Sequence, residues 1–127
     1  MKKRDIILFI SCCVIIILTN CTNDKSEMVY PAPSCDTAFI SLEIDLVPIM
    51  EANCYSCHSA KNAPVNGGFY NLEDTSTLKE AVLSGELISA IKHDSPEVPF
   101  MPQGGAKLPD CDINKFIRWK NEGAPIN

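Results

Sequence analysis

This chain is poor in histidine and in positive charge, and it has no apolar run long enough to span a bilayer. Its 127 residues include two histidines and one tryptophan, and 11 Lys/Arg against 16 Asp/Glu give a net charge of −5. That balance, with no basic stripe along the chain, excludes a nucleic-acid binder, which would cluster Lys and Arg against phosphates. The longest apolar stretch, Ile6 to Leu18, has 13 residues, whereas a transmembrane helix needs about 20. No internal repeat and no low-complexity segment is present. No stretch makes a convincing sheet, and the length suits one small domain.

The N-terminus reads as an export signal. Lys2, Lys3 and Arg4 precede the apolar run, which ends in Leu18-Thr19-Asn20-Cys21. That ending resembles a bacterial lipobox, in which the cysteine is lipidated and becomes the first mature residue. Residues 1–20 are therefore expected to be a lipoprotein signal peptide, and Cys21 the lipidation site. Asn20 stands where a small residue is usual. The competing reading is an uncleaved anchor helix. Either one tethers the domain to a bacterial membrane facing the periplasm, with an outer-membrane or surface leaflet also open. Residues 21–37, with Pro31 and Pro33, read as a lipid-anchored tether. Removing residues 1–20 leaves 107 residues with 8 basic and 15 acidic side chains, a net charge of about −7. Such a surface favours a partner with a basic docking patch, or simply maintains solubility.

The rest of the chain is organised around Cys54-Tyr55-Ser56-Cys57-His58. Two cysteines spaced by two residues with histidine next is the pattern for covalent c-type haem attachment. The spacing puts both thiols about one helical turn apart, so both can form thioethers to the vinyl groups of one porphyrin. His58 then offers its imidazole to the iron. A zinc site would need a second ligand pair and a thioredoxin-like site a βαβ context; neither is found. Of the seven cysteines, Cys12 and Cys13 leave with the signal, Cys21 takes lipid, and Cys54 and Cys57 take haem. Cys35 and Cys111 remain, and in an oxidising compartment they are expected to form a disulfide.

The helices follow from periodicity and breakers. Residues 38–44 alternate partly and suggest a short extended stretch. Asp45 is a candidate cap for a helix with Pro48 in its first turn and Leu46, Val47, Ile49 and Met50 on its apolar side. Residues 59–68 read as a loop ending in Gly67-Gly68. A second helix is expected over 75–84, stopped by Gly85, and a short third over 86–92. Four prolines and Gly104-Gly105 keep 94–109 irregular. Asp110 is a candidate cap for the last helix, which carries Ile113, Phe116, Ile117 and Trp119 and ends at Gly123. The tail 124–127 is expected to fold away from it.

Haem iron has a second axial position, and Met101, His93, Met50 and water are its candidates. Met50 suits the core better. Met101 follows His58 by 43 residues in Phe100-Met101-Pro102-Gln103-Gly104-Gly105, where Pro102 restricts its backbone to an extended conformation. Trp119 suits the core, with a propionate as the other partner for its N–H. Lys107 suits the surface, with a propionate as the lesser option.

The Pro48-Ile49 helix leading into the CxxCH motif, Gly67-Gly68, Met101-Pro102 with Gly104-Gly105, and the ending Trp119 to Gly123-Ala124-Pro125 together resemble a small monohaem class I-like cytochrome c in its lipoprotein form. The resemblance covers about residues 38–125. It implies an all-α, compact cytochrome c-like fold of about four short helices around one covalent haem c, in a domain spanning 38–127. It implies Cys54 and Cys57 as haem attachment points, and His58 and Met101 as axial ligands. It also implies that the Leu46–Met50 helix touches the Phe116–Trp119 helix. The stretch between His58 and Met101 is short for the class, so its middle helices are expected to be trimmed. The activity implied is single-electron transfer, without catalysis by this chain, to redox partner proteins such as an oxidase, a reductase or another cytochrome. A different class remains open: without Met101 on the iron, the protein would sense a diatomic ligand or act as a weak peroxidase. A haem-free docking lipoprotein is the third reading. A single CxxCH argues against a dihaem peroxidase.

Overall fold

Helix formation begins at Ser41. In the computed structural model, which describes residues 35–126, Ser41 is extended (φ −91°, ψ 134°) and its hydroxyl accepts from the Ile44 N–H at 3.4 Å. The Asp45 carboxylate in turn accepts from the Ser41 N–H at 3.0 Å. Two helix-start donors are thus satisfied reciprocally, as in a capping box. The turn that follows, Leu42–Leu46, is π-helical and runs into α1, Val47–Asn53, with Pro48 in its first turn. Two expectations are corrected here. Residues 42–44 are helical rather than extended, and Asp45 sits inside the helical segment while Ser41 caps it. The expected signal peptide 1–20, the expected lipidation site Cys21 and the expected tether up to residue 34 lie outside the described residues.

α2, Tyr55–His58, is a single turn carrying the motif. α3, Thr75–Ser84, is capped by Asp74, which accepts from the Thr77 N–H at 2.9 Å, and Gly85 ends it at φ 94°. Only a residue tolerant of the left-handed region fits there. The same glycine opens α4, Glu86–Lys92. Residues 94–109 form no regular element, as their prolines require. α5, Asp110–Asn121, places Asp110 and Asp112 in its first turn and Arg118 and Lys120 in its last, the order that its macrodipole favours. Asp110 is the first helical residue rather than the cap; that position is Pro109, which makes no side-chain cap. Asp110 accepts instead from Lys107 at 2.6 Å, which leaves Lys107 engaged on the protein itself.

Among the described residues the fold is helical with no strand. The expected four short helices become five and a π-turn, because the motif turn is separate from α1. Leu46, Met50, Leu78, Val82, Phe116 and Trp119 form the centre of one apolar core, and no polar residue is buried in it. α5 meets the N-terminal segment at the π-turn, where Lys115 pairs with Asp45 at 3.1 Å and Leu42, Leu46, Ile113 and Phe116 share the cluster. The tail does not fold away. Ala124 is fully buried, its N–H donates to Trp119 O at 2.8 Å, and Trp119 Nε1 donates to Pro125 O at 2.9 Å. A buried indole needs an acceptor, and the tail supplies it, so this N–H is not available to a propionate.

Cys35 and Cys111 are at disulfide distance, with Cα atoms 5.5 Å apart and a sequence separation of 76. Closing so long a loop restricts the unfolded chain. Replacing both cysteines with serine is expected to cost about 2–5 kcal/mol in urea denaturation; an unchanged midpoint would refute the link. Asp45 yields a pH prediction. The hydrogen bond from the Ser41 backbone holds its carboxyl below the usual range, against the opposing effect of burial, with Lys115 helping. A depressed carboxyl contributes stability above the unfolded pKa of about 3.9 and loses it as pH falls through the folded value. Asp45→Asn is therefore expected to be less stable than the parent at pH 7, with the gap closing towards pH 2. A gap that does not change with pH would contradict this.

Candidate functional site

The motif turn is held by its own backbone. His58 N–H donates to Cys54 O at 2.8 Å and Cys57 N–H to the same oxygen at 3.1 Å. Asn62 Nδ2 reaches back to Ser56 O at 3.0 Å and Tyr55 O at 3.4 Å, satisfying carbonyls that so short a helix cannot. Cys54 and Cys57 are free, partly exposed thiols three residues apart, hence on one side of the turn. Burial pushes the Cys54 thiol up to about 11, so it is a neutral thiol at physiological pH.

Both thiols line one cavity of about 530 Å³, and His58 and Met101 line it too. Leu72, Leu87, Ile91 and Leu108 supply apolar wall. The volume falls within the roughly 300–1,000 Å³ of cofactor and small-molecule pockets. Three residues of one short motif and a methionine 43 positions further on thus line one mostly hydrophobic space.

The His58 ring is oriented by the loop that follows it. Nδ1 lies 3.0 Å from Tyr70 O. A carbonyl only accepts, so Nδ1 carries a proton, and in the neutral ring Nε2 keeps its lone pair. A metal-binding imidazole is prepared in the same way, by a hydrogen bond at its other nitrogen. Gly67 lies tight beneath the ring. A Cβ there would meet Cys57 O at 2.6 Å, Ala63 Cα at 2.9 Å and His58 Nδ1 at 3.0 Å. Leu72 N–H donates to His58 O at 2.8 Å, closing the loop onto the motif.

The other candidates separate cleanly. Met50 is buried at 1% exposure in the core. His93 does not line the cavity; its Nε2 is 3.0 Å from Met101 O and its ring stacks on Phe100. Among the described residues, no three His, Cys, Asp or Glu side chains gather as a metal site, and no helix is long and apolar enough to cross a membrane. The donor set fits haem c: two thiols one turn apart, an imidazole with a free Nε2, a thioether, and a glycine where a Cβ would crowd both the motif backbone and the ring. The Tyr70 carbonyl and the Asn62 amide were not foreseeable, since a backbone acceptor carries no residue-type signal. Gly67-Gly68 was visible as a turn, but not as the floor of the imidazole. Compared with protein-family models, curated proteins and solved structures, the chain matches none.

Gly67→Ala is expected to lose about 1–3 kcal/mol, the usual cost of overpacking, because two of its three close contacts are backbone atoms. Chemical denaturation checks this. A neutral substitution would mean that the loop can retreat from His58.

Proposed function

We propose that this chain is an electron-transfer c-type cytochrome that carries one haem c on Cys54 and Cys57. His58 and Met101 would supply the ligands to its iron. The observation that carries this reading is the convergence of those four side chains on one apolar cavity with the His58 Nε2 left free. Haem c would supply a one-electron Fe(III)/Fe(II) couple there. The chain's own part would be to attach the group, to offer its iron an imidazole and a thioether and to surround it with apolar side chains. Cys54 and Cys57 fix the position of the group. Tyr70 O sets the tautomer and angle of His58. Leu72, Leu87, Ile91 and Leu108 lower the local dielectric, and pairing imidazole with thioether raises the potential.

With an imidazole and a thioether of the chain both offered to the iron, no position would be left for a substrate, which supports a carrier rather than a catalyst. The acidic composition favours redox partners with basic docking faces, such as an oxidase, a reductase or another cytochrome. The lipobox-like Leu18-Thr19-Asn20-Cys21 supports export, with Cys21 carrying the lipid anchor.

The test is an absorption spectrum in both redox states, on protein expressed in a host that matures c-type cytochromes. One covalent haem per chain in a pyridine haemochrome assay is expected. A weak near-infrared sulfur-to-iron band is expected in the oxidised state and is lost in Met101→Ala. A colourless product of unmodified mass would falsify the reading. Covalent haem with a high-spin spectrum would point instead to an open-site sensor of a diatomic ligand or a weak peroxidase.

A further inference from the structure

The sulfur of Met101 is only as well placed as the backbone beneath it. That backbone is gripped at both polar groups by the C-terminal end of α4. Met101 N–H donates to Ala90 O at 2.9 Å. Met101 C=O lies 3.0 Å from His93 Nε2. Because a carbonyl only accepts, that nitrogen carries a proton. The same ring stacks on Phe100, with centroids 4.7 Å apart and planes 6° from parallel. His93 reaches these contacts by closing α4 in the left-handed region, φ 59° and ψ 38°, where glycine or asparagine is the usual occupant. As a helix terminator histidine has no advantage over either. What it adds is an aromatic face for Phe100 and an N–H long enough to reach Met101. A non-glycine residue persists in this conformation when its surroundings over-determine it.

We propose that His93 is a positioning residue that fixes the Met101 backbone, and with it the thioether, through the Nε2–H···O=C bond. This rests on the reading of Met101 as an axial ligand. His93 is not itself a ligand, since its Nε2 is committed to the loop and its ring does not line the cavity.

Two variants of the haem-loaded full chain separate the bond from the bend. Asparagine suits the left-handed site but is too short to reach Met101 O. Glutamine suits that site less but carries an amide N–H to about the same distance as Nε2. The readouts are the near-infrared band and the apparent affinity for added imidazole, which competes with Met101. His93→Asn is expected to weaken the band and raise imidazole affinity about fivefold to tenfold, as loss of one ordinary hydrogen bond would. His93→Gln is expected to remain within about twofold of the parent, since its amide replaces the lost donor. If His93 only shapes the helix end, the order reverses, and that reversal overturns the proposal, as would two silent variants. A ring nitrogen NMR signature of a bare Nε2 in the parent would overturn it without any variant. Covalent haem without the sulfur band in the parent sinks the Met101 reading and this one together. A parent with the band and unresponsive variants sinks this one alone.

Discussion

An imidazole with one nitrogen committed to a carbonyl has a single lone pair left to offer, and the segment from His58 to Asp74 is built to make that commitment. Tyr70 O must face back towards the ring, so the chain has to reverse just before it. Gly68 (φ 57°) and Phe69 (φ 68°) do so with two consecutive left-handed residues. Phe69 carries a cost there of about 1–2 kcal/mol, the general penalty for a side chain in this conformation. Its N–H is repaid with Ala63 O at 2.9 Å, Gly67 N–H with the same oxygen at 3.1 Å, and Tyr70 N–H with Gly67 O at 3.0 Å. Ala60 N–H on Glu73 and Leu72 N–H on His58 O close the segment from both ends. A strained aromatic is tolerated because every neighbour bonds to the same short arc.

Stability and site share residues. Leu72, Leu87, Ile91 and Leu108 belong to the buried cluster and also line the cavity. A domain this small buries too little apolar surface to be generous with it, and covalent constraints are the usual supplement. Cys35 and Cys111 tie the first described residue to the first turn of α5, the helix that carries Phe116 and Trp119 into the centre. The tail then seals α5 from the far end through Trp119 Nε1 and Pro125 O. α5 is therefore fixed at both ends by contacts that are remote in sequence or outside the helix.

How much of this could be read in the sequence depends on the range of the interaction. Gly85 as a stop, 75–84 and 86–92 as helices, and the Ile113, Phe116, Trp119 stripe were legible because propensity and periodicity act over a few residues. The π-turn was not. Ser41 and Asp45 both resemble caps, and only the reciprocal bond between them shows which one lies outside the helix. The inward tail was also hidden, since nothing local in Ala124-Pro125 says that an indole six residues earlier lacks an acceptor. At the site, the CxxCH pattern announced Cys54, Cys57 and His58 directly. Bringing Met101 to the same cavity depends on loop 94–109, whose prolines reveal what it is not but little about where it goes. The position of His93 on Met101 O is a tertiary fact with no signature in either residue.

The two candidate axial groups are held by unlike means, and this bears on what the protein can do. His58 sits on a helical turn beside Cys54 and Cys57, with its ring itself hydrogen-bonded and backed by Gly67. Met101 offers a thioether, which makes only weak hydrogen bonds, so its side chain is directed by its backbone and by packing rather than by polar partners of its own. That backbone belongs to a segment without regular structure and is stitched to α4 through Met101 and Leu108 N–H groups on Ala90 O and Ile91 O. Local openings begin where packing and hydrogen bonding are sparse. The loop side must therefore give way before the imidazole side does. On the proposed reading, the choice between a closed electron carrier and an open-site protein then turns on the few bonds between α4 and residues 100–108 rather than on the CxxCH motif.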